Sequence, residues 1–229
     1  MTTSKLFVAV AVAGVILAGP SVANAEDSGF SIRLNGTWTK PDTPYLEPGN
    51  ALVRLNTTTG ESFGLALSGE YRFADRIGLE VGVQAFNESE IIIRQRDPQG
   101  GIIGDPLDPH PQDDTRFTLY DAALNIYIVS GGLDFYVGPV VGFLDFTDLD
   151  VLVTPFLQPA KVRIDGDSAF GAVVGVDVEF PDSAWFFTSS IKYLDSDYEL
   201  QLDNSLEVRS PQEIDFDPWI FRLGLGFRI

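Results

Sequence analysis

The side chains of this chain that could take part in chemistry are mainly carboxylates and guanidinium groups, placed at alternating positions within apolar segments. Arg33, Arg72 and Arg222 each lie between bulky apolar residues. Acids and bases on one face of a segment can form ion pairs, and charges removed from water must do so because burial costs several kcal/mol per ion. The pattern predicts a buried ion network rather than a reaction centre.

Catalytic side chains are scarce. The 229 residues contain no Cys and a single His, His110, which lies between Pro109 and Pro111. A thiol nucleophile, a Cys-based zinc site and any multi-His metal site are therefore excluded. No Ser stands beside His110 to form a catalytic pair. We expect no enzymatic activity and no cofactor.

The charge balance excludes another class of partner. The net charge is −18, from 33 acidic and 15 basic residues, whereas nucleic-acid binding needs clustered Lys and Arg.

Acidic groups such as Asp145/Asp148/Asp150 offer oxygen ligands of the kind that Ca²⁺ takes, but none has the spacing and Gly of an EF-hand loop. Solvated acidic loops and weak divalent-cation binding shared with lipopolysaccharide phosphates both remain open; we predict no dedicated metal site.

Residues 1–25 predict a cleaved signal peptide. Lys5 precedes an apolar run over 6–18, and Ala23-Asn24-Ala25 supplies the small-x-small cleavage pattern. The run is shorter than the ~20 apolar residues that a membrane-spanning helix needs. We expect residues 26–229 to form one exported domain.

Bulky apolar residues alternate with small or polar residues in repeated segments of the mature chain. In the last segment, 219–229, aromatic and aliphatic residues hold the odd positions, and Arg or Gly holds most even positions. A period of two predicts strands. We expect eight, the other seven at 30–38, 63–73, 77–84, 117–129, 133–145, 168–180 and 185–195.

The connections between these strands alternate in length. Short ones fall near 74–76, 130–132 and 181–183, and long ones near 41–61, 88–115, 146–166 and 196–215. Outer-membrane barrels have short periplasmic turns and long extracellular loops. The sequence therefore predicts an all-β fold, an eight-stranded antiparallel transmembrane β-barrel in the outer membrane.

The alternative is a soluble β-sandwich or a lipocalin-like barrel, in which the larger apolar side chains face inward. Here the second face carries Gly, Ser and charged residues, which cannot fill a dry core. Aromatic residues also stand at strand ends, as in the interfacial girdles of membrane barrels. These are Trp38, Tyr71, Phe73, Trp185, Tyr193, Trp219 and Phe227.

The closing stretch, from Trp185-Phe186-Phe187 to Asp217-Pro218-Trp219-Ile220-Phe221, resembles the end of the OmpW family of small outer-membrane barrels. The resemblance covers most of the mature chain and implies a conduit for small hydrophobic molecules. The chain ends in Ile229 where many such barrels end in Phe, but we expect an apolar last residue on the outward face of the C-terminal strand still to serve the barrel-assembly machinery. Outer-membrane lipids and lipopolysaccharide are the expected surroundings.

An even number of strands places both termini at the periplasmic side, which fixes the height of each inward residue. The lower lumen should then hold a balanced plug of ion pairs, because eight strands leave barely enough room for side chains. Its predicted members are Arg33, Glu70, Arg72, Glu80, Asp121, Asp177, Glu179, Lys192, Arg222 and Arg228.

Inward positions of the upper half are mostly small or apolar, and they include Gly64, Gln84 and Gly171. They could outline a hydrophobic pocket contacted by Phe86, Leu119, Leu144 and Ile220. Alternatively, their glycines only admit sharp curvature. A pocket plugged below would empty sideways through the wall, and Pro139, which cannot donate a ladder hydrogen bond, is the candidate opening.

Two functions follow from these features. The first is a conduit for small hydrophobic solutes with lateral exit into the bilayer above the ion plug. The alternative is a structural or adhesive surface protein whose barrel anchors the acidic extracellular loops.

Overall fold

The computed structural model describes residues 29–42, 54–59, 61–74, 76–89, 91–96, 115–153, 158–204, 207–208 and 212–229. The predicted signal peptide and His110 lie outside these residues. Within them, no helix is long and apolar enough to span a bilayer.

The described residues form two antiparallel β-sheets, one large and one of only two strands. In chain order the strands are β1 (Gly29–Asp42), β2 (Arg54–Thr59), β3 (Ser62–Ala74), β4 (Ile77–Ser89), β5 (Ile91–Arg96), β6 (Thr115–Val129), β7 (Leu133–Phe146), β8 (Leu149–Val153), β9 (Gln158–Glu179), β10 (Trp185–Asn204), β11 (Glu207–Val208), β12 (Gln212–Asp215) and β13 (Asp217–Arg228).

Eight strands close into an antiparallel barrel. Their hydrogen-bonding order is β10-β13-β1-β3-β4-β6-β7-β9, and β9 pairs with β10 to complete the circle. The first and last strands are neighbours, with Leu34 opposite Leu225. Closure gives each of these eight strands a hydrogen-bonded neighbour on both sides, as surrounding hydrocarbon requires. The barrel predicted from the alternation is confirmed.

The two faces of the barrel wall differ in chemistry. Along β1, Arg33 is buried in the lumen, whereas Ile32 and Leu34 are exposed on the outside. Aromatic pairs mark both ends of the outer face. Trp38 stacks on Phe221 with ring centroids 4.9 Å apart toward the extracellular end, and a Trp185–Phe227 pair lies at the periplasmic end. The outward apolar surface is therefore bounded by aromatic girdles.

The two largest errors in the predicted strand limits are at the start of β9 and the end of β10. β9 begins at Gln158 rather than 168, and β10 continues to Asn204 rather than ending at 195. The inward side chains of Ile164 and Tyr198 lie in this extension and are buried in the same apolar cluster. Their burial stabilises the continued pairing of the two strands. Strands also occur in all four connections that were expected to be loops: β2 pairs with β5, β8 pairs with β9, and β11 and β12 pair with β10.

Candidate functional site

The centre of the lower lumen is Arg33, which β1 places among three carboxylates. Its Nη1 lies 2.8 Å from Glu70 and 3.4 Å from Glu80, and its Nη2 lies 2.7 Å from Asp177. These acids come from β3, β4 and β9. One guanidinium therefore links four strands across the lumen. Its planar arrangement of N–H donors matches the geometry of carboxylate oxygens.

Glu80 is the second branching point of the network. Arg222 Nη1 lies 2.8 Å from its Oε1, and Lys192 Nζ lies 3.6 Å from the same oxygen. Lys192 also lies 2.8 Å from Asp121, and Arg222 Nε donates to Ser190 Oγ. The inner group thus contains three bases and four acids, all buried.

A smaller ion cluster lies nearer the periplasmic end. Asp134 Oδ2 is 2.9 Å from Arg72 and 2.7 Å from Arg228, and Arg228 also contacts Glu179. Together with Ser31, these side chains line a cavity of about 440 Å³ beside the Ser130-Gly131-Gly132 turn. The cavity forms a periplasmic vestibule below the Arg33 network.

All ten residues of the predicted ion plug make ion pairs in the structure, in these two clusters. Sequence reasoning missed Asp134, which joins Arg72 to Arg228. The signal was available, since Asp134 alternates with Tyr136 on the inward face of β7. Asn125 and Tyr127 were also missed; both donate hydrogen bonds to Glu70.

The upper lumen is filled by apolar side chains. Phe86, Leu119, Leu144 and Ile220, the four predicted pocket residues, lie in one buried cluster and are each 0–2% exposed. Side chains that water cannot reach are in contact with their neighbours rather than with an open cavity. The additional members that fill this space are Phe117, Phe146, Ile164, Leu194, Tyr198 and Phe216.

Aromatic stacking organises this cluster. The rings of Phe86 and Phe117 are stacked with centroids 4.4 Å apart, and Phe216 meets the edge of Phe117 at 5.7 Å. Phe216 lies between β12 and β13, so the connection before the last strand contributes to the filling. The lumen is thus apolar above and ionic below.

Two inward glycines of the upper half permit close approach of strands. A Cβ at Gly64 would lie 2.1 Å from the Ala85 carbonyl oxygen, and one at Gly171 would lie 1.8 Å from that of Tyr193. These positions are occupied by the neighbouring backbone, which supports the curvature interpretation there. Gln84, predicted to line the upper half, instead donates to Asp121 and joins the ion network.

Pro139 lies on the outside of β7, where the ladder to β6 is interrupted. Pairing stops after Ala123–Val140 and resumes at Ile126–Val137. On the other side of β7 the ladder to β9 continues through Pro139–Ala172. Because proline has no N–H, the missing donor faces β6.

The sequence model of the family described as outer membrane protein beta-barrel domain matches residues 7–228. The chain belongs to this family. Solved structures of this outer-membrane barrel type share the fold. OprG from Pseudomonas aeruginosa superposes with a TM-score of 0.64 at 18% identity, covering 88% of this chain and 96% of that chain.

Two further outer-membrane barrels are similar. AlkL gives a TM-score of 0.57 at 17% identity, covering 91% of this chain and 93% of that chain. The neisserial surface protein NspA gives 0.51 at 11% identity, covering 89% and 100%. OprG and AlkL are OmpW-type barrels, so the resemblance noted in the sequence is confirmed at the level of the fold. No curated protein sequence is significantly similar to the chain.

Proposed function

We propose that this outer-membrane barrel is a conduit for small hydrophobic molecules, which enter the upper lumen from outside and leave sideways into the bilayer. The observation that carries the proposal is the break in the β6–β7 ladder at Pro139. It is a local weakness in a wall whose other strand pairs are hydrogen-bonded along most of their length.

The height of the break fits a lateral exit. Inward Ala123 and Val140, at its upper edge, belong to the apolar cluster. Asn125, at its lower level, donates to Glu70 in the ion network. A solute that has passed through the apolar half would therefore reach the unpaired section of the β6–β7 ladder at the height where the ion network begins.

The energetics favour this route over passage through the lower lumen. Each CH₂ group of a solute gains about 0.8 kcal/mol on moving from water to an apolar phase. The route downward would require opening the pairs that Arg33 makes with Glu70 and Asp177, leaving buried charges without partners. The route sideways ends in hydrocarbon.

Conduction requires the apolar filling to move aside, because Phe86, Leu119 and their neighbours are packed together. This dense packing is also the observation that favours a second function. A barrel filled in both halves would serve as a rigid anchor for its acidic extracellular loops. The two functions differ in whether hydrophobic solutes pass.

Replacement of Pro139 by alanine tests the conduit. Pro139→Ala supplies the N–H donor that β7 lacks at this position, so the ladder to β6 should close and uptake of a fluorescent hydrophobic probe by liposomes carrying the barrel should fall. Pro218→Ala is the matched control, since Pro218 lies opposite Pro41 at the extracellular end of the barrel. Equal uptake by Pro139→Ala, Pro218→Ala and the parent would contradict the lateral exit.

A charge in the upper lumen provides the second test. Leu119→Asp and Leu144→Asp should each lower uptake, because a carboxylate in an apolar site repels an apolar solute. Heat-modifiable migration on gels would establish that each variant is folded. Folded variants with the uptake of the parent would favour the surface-anchor function.

The remaining parts of the proposal concern export, surroundings and catalysis. We propose that residues 1–25 are removed on export and that the apolar outer face contacts outer-membrane lipids and lipopolysaccharide. We propose that β13, with outward Leu223, Leu225 and Phe227, is recognised by the assembly machinery. We assign no catalytic role. Hydrolysis of a lipid substrate that is lost in His110→Ala would contradict this assignment.

A further inference from the structure

The lipid-facing wall of the barrel carries a groove of about 490 Å³ toward its extracellular end. The groove lies over β1 and β13, with β3 on one side and β10 on the other. The side chains that form its walls are apolar and stand on the outer face of the barrel: Trp38, Phe63, Ile191, Phe221 and Leu223. The groove therefore faces the bilayer rather than the lumen.

Two small residues form notches in the floor of this groove. Gly36 lies between Leu223 and Leu65 in the sheet, and a Cβ at Gly36 would meet nothing nearer than 3.8 Å. Ser189 lies on the far side of Leu223. Since neighbouring strands are about 4.8 Å apart, the two notches are about 10 Å apart. Two hydrocarbon chains can pack there, one on each side of Leu223, because small residues allow close approach within a membrane.

A cation stands above the groove at the level of the lipid headgroups. Lys40 is exposed and lies on the same face of β1 as Gly36, four residues further toward the extracellular end, which is about 13 Å along the strand. Lys40 is paired with Trp219, whose ring lies 4.9 Å from that of Tyr193. Trp and Tyr mark the headgroup level of a membrane, so the ammonium group is placed where a lipid carries its phosphate.

The outer surface beside and above Lys40 is mainly acidic in the part of the chain that the structure describes. Its exposed acids on β9, β10 and β12 are Asp165, Asp167, Asp195, Glu199 and Asp215. These carboxylates repel a phosphate, whereas a basic residue near the membrane surface attracts one. Lys40 therefore distinguishes the groove from the rest of the wall as a position for an anionic lipid.

We propose that the groove is a binding site for the lipid A part of lipopolysaccharide, a phosphorylated glycolipid with several acyl chains. One phosphate pairs with Lys40, and two acyl chains occupy the notches at Gly36 and Ser189. This inference rests on the proposed contact between the outer face and lipopolysaccharide, and it adds the place and the residues. It does not depend on the conduit, because the break between β6 and β7 lies on the opposite side of the barrel.

Titration of the detergent-solubilised barrel with lipid A, followed by native mass spectrometry, tests the site. The parent should bind one lipid A molecule more tightly than the next, and more tightly than phosphatidylcholine or lipid A without its phosphates. Lys40→Gln should weaken the first binding event about fivefold, the factor equivalent to about 1 kcal/mol for one basic residue at an anionic lipid surface. The same variant should leave the affinity for dephosphorylated lipid A unchanged.

The acid beside Lys40 provides the opposite change. Glu61 is exposed on the neighbouring strand side, one position beyond the pair formed by Thr39 and Ser62. Glu61→Gln removes a negative charge near the phosphate position and should strengthen binding of lipid A. Arg116→Gln is the control for Lys40→Gln, because Arg116 is an exposed base at the extracellular end of β6, away from the groove. It should leave the affinity unchanged.

Filling the notches tests the seats of the acyl chains. Gly36→Leu and Ser189→Leu should each lower the affinity for lipid A with and without phosphates, because both forms carry the same chains. Ala85→Leu is the matched control, since Ala85 is exposed on the outer face opposite Leu65 but lies outside the groove. Heat-modifiable migration on gels establishes that each variant is folded.

Equal affinity of Lys40→Gln and the parent for lipid A would overturn the site, and so would a parent that binds lipid A no more tightly than phosphatidylcholine. A loss in Ala85→Leu as large as that in Gly36→Leu would also overturn it. Several lipid A molecules bound with equal affinity, and unaffected by any of these variants, would indicate general contact with lipopolysaccharide without this site. Binding of phosphatidylcholine alone would contradict both the site and the general contact.

Discussion

Arg222 donates a hydrogen bond to Glu80 over 2.8 Å, although 142 residues separate the two in sequence. β1 and β3 lie between their strands in the sheet, so the contact crosses the lumen rather than following the wall. Glu80 also meets Arg33 and Lys192. The last strand is thereby joined to the first half of the chain, and the same contact blocks the lower lumen.

Removing Arg222 should destabilise the barrel. Arg222→Leu leaves Glu80 with one close cation fewer, and breaking a buried ion pair costs about 3–5 kcal/mol. Urea titration of the barrel in phospholipid vesicles measures the loss. Arg76→Leu is the control, since Arg76 is exposed at the β3–β4 turn and should have little effect. A midpoint for Arg222→Leu equal to that of the parent would show that water already solvates Glu80.

A methyl group should not be tolerated where neighbouring strands approach closely. A Cβ at Gly138 would lie 1.9 Å from the Leu124 carbonyl oxygen, whereas a Cβ at Gly36 would meet nothing nearer than 3.8 Å. Gly138→Ala should therefore cost about 1–3 kcal/mol through forced backbone movement, and Gly36→Ala should be nearly neutral. Equal free energies of unfolding for the two variants would mean that β6 and β7 are further apart than described.

Closure of the barrel between its first and last strands can be tested by cross-linking. The chain has no native Cys, and Leu34 lies opposite Leu225 on the outer face. Leu34→Cys combined with Leu225→Cys should form a disulfide on oxidation, and the heat-denatured product should migrate differently from its reduced form. Leu34→Cys with Leu133→Cys is the control and should stay reduced. A cross-link in the control alone would contradict the described order of strands.

The alternation of residue types was sufficient to predict the barrel and most of the inward charges. At Arg33 and Arg222, the charge of the side chain and the apolar residues on either side both indicate which face of the strand points into the lumen. The bilayer excludes the opposite orientation, in which the charged face would contact hydrocarbon. Height within the barrel was less predictable. Gln84 was expected in the upper half but reaches Asp121, because a long amide can extend to the level of the next inward residue.

Packing inside the upper lumen could not be predicted from the alternation. Phe86, Leu119 and Leu144 were correctly placed on the inward face, but sequence spacing does not show whether such side chains surround a space or fill it. Phe216 illustrates the difficulty. It lies between the expected strands 185–195 and 219–229, and it enters the cluster where β10 extends beyond residue 195 and pairs with β12, a strand that was not predicted.

Removing one aromatic ring from the apolar cluster should distinguish the conduit function from the surface-anchor function. Phe117→Ala removes the partner of Phe86 and should destabilise the barrel by about 3–5 kcal/mol. If the side chains must move aside for a solute to pass, the same variant should raise uptake of a hydrophobic probe. Phe63→Ala, on the lipid-facing side of β3, should leave uptake unchanged. An unchanged rate in folded Phe117→Ala would favour the anchor.

The central claim, that apolar solutes occupy the upper lumen, is tested most directly by photolabelling. A hydrophobic probe that carries a photoactivatable group is added to the folded barrel in vesicles, and labelled residues are identified by mass spectrometry. Lipid-facing residues such as Leu65 should be labelled in either case. The conduit predicts additional label on inward Leu119 and Leu144, and loss of that label in Leu144→Asp. Label confined to outward-facing residues would contradict it.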